Sequence, residues 1–309
     1  MASGDSRSGQ IAMVECVPNL SEGRAHGVIA ALRAAAAGVE GVKLLDSHSD
    51  PDHNRTVLTF AGPPPQVSLA AMRLAREAVQ RIDMRSHAGV HPRMGALDVM
   101  PFVPLGGSTM NACVGMARDL ARYLGEDLGV PAFLYGAAAS PGRPRSLRDI
   151  RGAGSLSVEA LATGLRPPDF GPRAPHPTAG ATAVGAREPL IAFNVNLESA
   201  NLEVAQGIAH AIRGSSGGLS QVQALAFPLA SSGLVQVSMN LLDFRVTGLG
   251  QALARLRELA SDAGLGLAGC ELVGLLPEAA LEGLEGETMP GIPGPQDTIE
   301  ARLTGPGLS

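Results

Sequence analysis

The most restrictive feature of this chain is a pattern of apolar runs that comes round twice in the same order. "IAMVECVPNL" (11–20) has the length and β-branched character of a strand, and "SEGRAHGVIAALRAAAAG" (21–38) reads as a helix entered at Ser21 and stopped at Gly38. "VKLLDSHS" and "RTVLTFAG" are two strands joined by the turn formers "DPDHN". Helical spacing then runs from Gln66 to Ile82, and "ALDVMPFVPL" is a further strand. "NACVGMARDLARYLGEDLG" and "PAFLYGAAA" add one more helix and strand. After a loop-rich stretch from Ser140 to Arg187 the order returns: strand "PLIAFNVNL", helix "LEVAQGIAHAIRG", strands "VQALAFPL" and "LVQVSMNLL", helix "GQALARLRELASDAG", strand "LAGCELVGL". Both halves read β-α-β-β-α-β, the split order of a ferredoxin-like sheet. The expected fold class is α+β, two ferredoxin-like (βαββαβ) subdomains with a cleft between them, divided as 1–182 and 183–309. Past Pro277 a short helical stretch is expected, followed by an irregular "PGIPGPQ".

Composition removes several classes of function. A chain of 309 residues, 45% hydrophobic, can bury a core of this kind. Its 3% aromatic content and net charge of -5 speak against a nucleic-acid binder, which needs stacking rings and a basic surface. Cys16, Cys113 and Cys270 are far apart, form no C-x-x-C pair, and read as buried thiols rather than disulfide partners. The N-terminus lacks an apolar leader core and no run reaches the roughly 20 residues of a membrane span, so a cytoplasmic protein with no membrane partner is expected. Lys43 is the only lysine among 24 basic residues, which leaves anionic substrates to arginine forks or helix N-termini.

The segment "DMRSHAGVHPRMGALDVMPFVPL" (83–105) holds the pair of residues with most chemistry. His87 and His91 are four apart, but Gly89 and Pro92 oppose the helix on which that spacing would present two metal ligands. His48, Asp50, Asp52 and His53 on the neighbouring hairpin could complete a ligand set, so a metal site stays open beside a second reading. In that reading one histidine of a Gly/Pro-punctuated loop is held by the scaffold as an acid/base, with Arg93 offering a fork for a carboxylate. A plain surface imidazole is the third. Elsewhere Asn19 and the pair Asn54-Arg55 can hydrogen-bond a substrate, although Asn19 and Ser21 could equally end a strand and cap a helix. Arg187 suits a substrate carboxylate or a subdomain interface. Asn194 and Asn196 alternate on one face of a strand where aliphatics are usual, which suggests a polar cleft.

Eight segments go beyond generic pattern: "VECVPNLSEGR", "DPDHNRTVLTFAGPP", "HPRMGALDVMPFVPL", "PDFGP", "GATAVGAR", "FNVNL", "VQVSMNLLDF" and "ELVGLLP". In order and over nearly the whole chain they resemble the glutamate formiminotransferase family, which also forms the N-terminal portion of formiminotransferase-cyclodeaminase. The resemblance implies transfer of the formimino group of N-formimino-L-glutamate to N5 of tetrahydrofolate, a co-substrate, with no metal. It implies that His91, not His87, is the catalytic base. It also implies that a folate-contacting loop runs from Gly171 to Gly180 and brings Pro172, His176 and Thr178 to the ligand. It further suggests a homodimer. Bifunctional members carry an aromatic residue in that loop where this chain has "PTAG". The rivals are formyl transfer between 5-formyltetrahydrofolate and glutamate, a folate-binding homologue without turnover, and a metal hydrolase of the same donor.

Overall fold

A computed structural model describes residues 11–90, 93–143, 145–151 and 167–308. The chain is α+β, with two separate sheets. It divides into two compact units, residues 1–187 with 307–309, and residues 188–306.

In the first unit β1 (Ala12–Cys16) is followed by β2 (Asn19–Leu20), α1 (His26–Ala37), β3 (Lys43–Asp50), β4 (Arg55–Gly62), α2 (Pro64–Arg81), β5 (Leu97–Gly106) and α3 (Met110–Glu126). Then come β6 (Ala132–Gly136), α4 (Leu147–Arg151) and β7 (Thr182–Ala186). β1 and β2 are one strand interrupted at Pro18, which has no N–H for the ladder. Both pieces pair antiparallel with β4 on one side and β5 on the other, and β3 extends the sheet beyond β4. Past β5 the pairing turns parallel, to β7 and then β6. Alternation along the strands sends Val14, Cys16, Leu58, Phe60, Met100 and Phe102 into the core beneath α1, α2 and α3. Burying each such side chain is worth about 1.5–3 kcal/mol.

The second unit runs β8 (Ile191–Leu197), α5 (Leu202–Ile212), β9 (Val222–Pro228), β10 (Val235–Leu241), α6 (Leu249–Asp262), β11 (Leu267–Val273) and α7 (Ile299–Thr304). Its sheet has the order β11-β8-β10-β9 and is antiparallel throughout. Ile191, Phe193, Val195 and Leu197 face a core shared with α5 and α6, while Asn194 and Asn196 take the opposite face. Asn201 caps α5 by accepting from the N–H groups of Glu203 and Val204.

Several elements differ from the sequence expectation. α1 begins at His26 rather than Ser21, because the Ser21 hydroxyl is engaged elsewhere and Glu22 Oε1 takes the Arg24 and Ala25 N–H groups. β7 and α4 fall inside the stretch read as loop-rich, and α7 follows the expected irregular tail. The first unit extends through Arg187, since β7 is hydrogen-bonded between β5 and β6. Part of the loop-rich stretch, 152–166, lies outside the described residues.

Candidate active site

The histidine segment is held by the hairpin turn between β3 and β4. Asp50 Oδ1 accepts from the N–H groups of Asp52 (2.8 Å) and His53 (3.0 Å), which closes that turn. Asn54 follows at φ 46°, a left-handed conformation that asparagine tolerates better than most residues. Its side chain ties three segments: Oδ1 accepts from Gly23 N (2.9 Å), and Nδ2 donates to Ala88 O (3.1 Å) and meets His87 Nδ1 at 3.2 Å. Gly89 lies so near the turn that a Cβ there would sit 2.4 Å from His53 O. Val90 N–H donates to Asp52 O at 3.4 Å.

This arrangement assigns a state to His87. Because Asn54 Oδ1 is committed to Gly23, the amide nitrogen has to donate, and His87 Nδ1 has to accept with a free lone pair. The ring is therefore neutral, with its proton on Nε2. Burial, and after it the Arg93 guanidinium, hold the His87 pKa below the ordinary histidine value. The basic nitrogen of His87 is thus already in use.

His91 and Pro92 lie outside the described residues, while the turn they enter, Arg93 to Ala96, is described completely. Met94 N–H donates to Asp98 Oδ1 (2.7 Å), and the Ser21 hydroxyl donates to Gly95 O (2.6 Å). Ser21 N–H reaches Ala96 O at 2.9 Å. The Arg93 side chain turns inward: Nε donates to Ser21 Oγ (3.0 Å), and Nη1 lies 3.5 Å from Asp98 Oδ2. Both partners of this ion pair are buried, with side chains 2% and 0% exposed.

The candidate loop 171–180 docks on the same turn. Ala96 N–H donates to Ala179 O and Ala181 N–H to Met94 O, both at 2.9 Å, and Met84 N–H donates to Thr178 O at 2.8 Å. Gly95 and Gly180 allow this approach, since a Cβ on Gly95 would sit 2.0 Å from Ala181 O and one on Gly180 2.4 Å from Met94 O. His176 folds the end of the loop, pairing through its backbone with Gly180 and accepting at Nδ1 from the Ala179 N–H (3.0 Å). Gly171, Pro172, Arg173 and Ala174 are exposed.

The remaining candidates are spread more widely. Asn19 sits on β2 two residues before Ser21, and its buried Oδ1 has no hydrogen-bond partner among the described residues. Arg55 directly follows Asn54 and is buried at the start of β4. Arg187 donates its N–H to Phe102 O at the far end of β7, roughly 20 Å along the strand from Ala181 by strand rise. Asn194 belongs to the second unit, where its Nδ2 donates to Glu271 Oε2 (3.1 Å). Sequence reasoning passed over Ser21 as a tether and Asp98 altogether, though a carboxylate inside the apolar run "ALDVM" was a visible signal. Among the described residues no three His, Cys, Asp or Glu side chains are grouped to hold a metal ion.

These features define an α+β protein in which a glycine-bounded loop and the Arg93–Ala96 turn are hydrogen-bonded together at one end of a sheet. The chain belongs to the formiminotransferase family: residues 13–187 match its formiminotransferase domain, N-terminal subdomain, and residues 192–284 its formiminotransferase domain. The glutamate formimidoyltransferase of Thermoplasma acidophilum is 44% identical over 275 residues, covering 88% of this chain and 90% of the relative. That of Streptococcus pyogenes serotype M1 is 42% identical over 270 residues, covering 87% and 90%. The formimidoyltransferase-cyclodeaminase of Sus scrofa is 46% identical over 279 residues, which are 87% of this chain and 51% of the relative.

Proposed function

We propose that this protein is a glutamate formimidoyltransferase that moves the formimino group of N-formimino-L-glutamate to N5 of tetrahydrofolate. The observation that carries this reading is similarity over nearly the full length of relatives so named, with the HPRMG segment intact in sequence. N5 attacks the formimino carbon and forms a C–N bond. The tetrahedral centre then loses the N5 proton and breaks its bond to the glutamate nitrogen, which leaves as an amine. His91, neutral, accepts the N5 proton and delivers it to the leaving nitrogen, a role worth about 10² to 10⁴ in rate.

The folate fit rests on loop 171–180. Its exposed outer residues present Arg173 to a glutamate carboxylate, while His176, Thr178 and Gly180 shape the inner end. Asn19 and Arg55 extend the proposed binding set within the first unit, while the Asn54 amide and the Arg93 guanidinium, engaged inside the protein, hold the histidine segment and the turn after it. Each unit is proposed to be a split βαβ, ferredoxin-like subdomain; the order β11-β8-β10-β9 and the sequence β3-β4-β1-β5 within the larger sheet support this. Three buried free cysteines suit a reducing cytoplasm, and among the described residues no helix is long and apolar enough to cross a membrane.

Turnover with N-formimino-L-glutamate and tetrahydrofolate tests the reaction, with 5-formyltetrahydrofolate and glutamate as the competing pair. His91→Ala is expected to lower kcat by about 10² or more while folate affinity stays within a few-fold, because a proton-transfer group acts in the transition state. The wild-type rate is expected to rise with pH through about 6 to 7. Equal loss in His87→Ala together with a response to chelator would replace the base with a metal site.

A further inference from the structure

We propose that Asp98 is a positioning residue for this reaction, acting through Arg93, Met94 and Ser21 to fix the Arg93–Ala96 turn that follows His91 in the chain. The inference rests on His91 being the base.

The position of Asp98 is costly for stability. It is fully buried at the start of β5, in a run that is otherwise apolar, and it faces a guanidinium that is itself 2% exposed. Removing two charges from water costs several kcal/mol per ion, and an apolar pair of similar volume often packs as stably. What an apolar pair could not do is bind two consecutive residues of the turn in different ways. One Asp98 oxygen accepts the Met94 N–H at 2.7 Å and the other faces Arg93 Nη1 at 3.5 Å. Ser21 completes the arrangement, accepting from Arg93 Nε and donating to Gly95 O. From the side chain of Arg93 to the carbonyl of Ala96, the turn is bonded to Asp98, Ser21 or residues 179–181.

A single residue separates Arg93 from His91, and it is a proline, whose φ is fixed. The Cα atoms of His91 and Arg93 can be no more than about 7 Å apart, since each step is about 3.8 Å. Holding the backbone at Arg93 therefore limits how far the His91 backbone can lie from the Arg93–Ala96 turn. A misplacement of about 1 Å can cost about 10² in rate, so a device that holds Arg93 and Met94 acts on the base without touching substrate.

The test compares Asp98→Asn, Ser21→Ala, Ser21→Thr and the double variant Asp98→Asn/Ser21→Ala in the full-length chain. Turnover is expressed per folded molecule, with thermal melting recorded alongside. The expected result is a fall in kcat of about 10- to 100-fold in each of the first two variants, with KM for both substrates within about threefold and the midpoint of the pH–rate profile unmoved. The double variant should lose no more than about threefold beyond the worse single one, because both act on one turn. Ser21→Thr, which keeps a hydroxyl, should recover most of the Ser21→Ala loss. Ser21→Ala leaves the ion pair in place, so it reads the proposal even if Asp98→Asn is poorly folded. A lowered melting temperature with kcat per folded molecule within about twofold of wild type would make the cluster structural only and overturn the proposal. So would a rise in one KM at constant kcat, which would mark a binding role. Wild-type protein without transfer, or a fully active His91→Ala, would overturn the assigned reaction or base and this inference together.

Discussion

At the scale of single residues, one asparagine, Asn54, decides what the His87 ring can do. Sequence alone leaves metal, acid/base and surface roles open for His87 and His91, because nothing local says that Asn54, more than thirty positions upstream, will occupy His87. With the Asn54 amide donating to its Nδ1, His87 gains nothing from a second proton: protonation would set N–H against N–H and break the bond. Its pKa is lowered by folding. The unfolded chain therefore binds the proton more readily, and the contribution to stability is present above about pH 6.5, the unfolded value, and lost as pH falls through the lower folded value. Urea titrations between about pH 5 and 7 are expected to show wild-type stability rising with pH, and His87→Gln rising less. Parallel curves for the two proteins would remove this role. Asp98 was legible in principle, as a charge within a strand otherwise read as apolar. Its partner Arg93 was expected to point at substrate because an exposed fork and a buried one have the same sequence signature.

At the scale of elements, strands and helices with strong apolar signals were readable: β4, β8, β10, α2 and α3 all form, although β4 is buried at every position and Leu69 of α2 is exposed. β7 was not. "TAVGA" has neither bulk nor alternation, and it is a strand because it fills the space between β5 and β6, where Tyr135 of β6 covers Gly185. That is a tertiary cause, invisible to a local window. Glycines also let the loop reach the Arg93–Ala96 turn. Gly95 is the tightest point of that contact, and Gly95→Ala would place a methyl against Ala181 O. The expected outcome is a loss of about 1–3 kcal/mol, the usual cost of overpacking, together with at least tenfold lower turnover per folded molecule, since the turn would have to shift. Unfolding midpoints and active-site-normalised rates measure the two effects. Wild-type values for both would show that the loop and turn separate at no cost.

At the scale of the whole molecule, the doubling of the order was the most legible property, and the two larger cores follow it, one in each unit. What patterning could not supply was the parallel extension of the first sheet, built from residues outside the repeat. The second sheet ends at β9, whose seven residues "VQALAFP" carry no charge and leave Leu225 half exposed. Uncharged edges invite pairing with another chain unless covered. A homodimer is therefore expected, and light scattering at micromolar concentration should return twice the 31.5 kDa chain mass; a value at the chain mass would refute it. The loop from Gly171 to Gly180 meets the protein at its two ends, on Gly125 and on Met94, with exposed residues 171–174 near one of them. A segment pinned in this way can change its chemistry without disturbing its neighbours. Drift there could alter which folate tail or ring substituent is preferred while proton transfer stays intact. A directed-evolution library for new one-carbon acceptors would start by randomising 172–175 and leave both glycines alone.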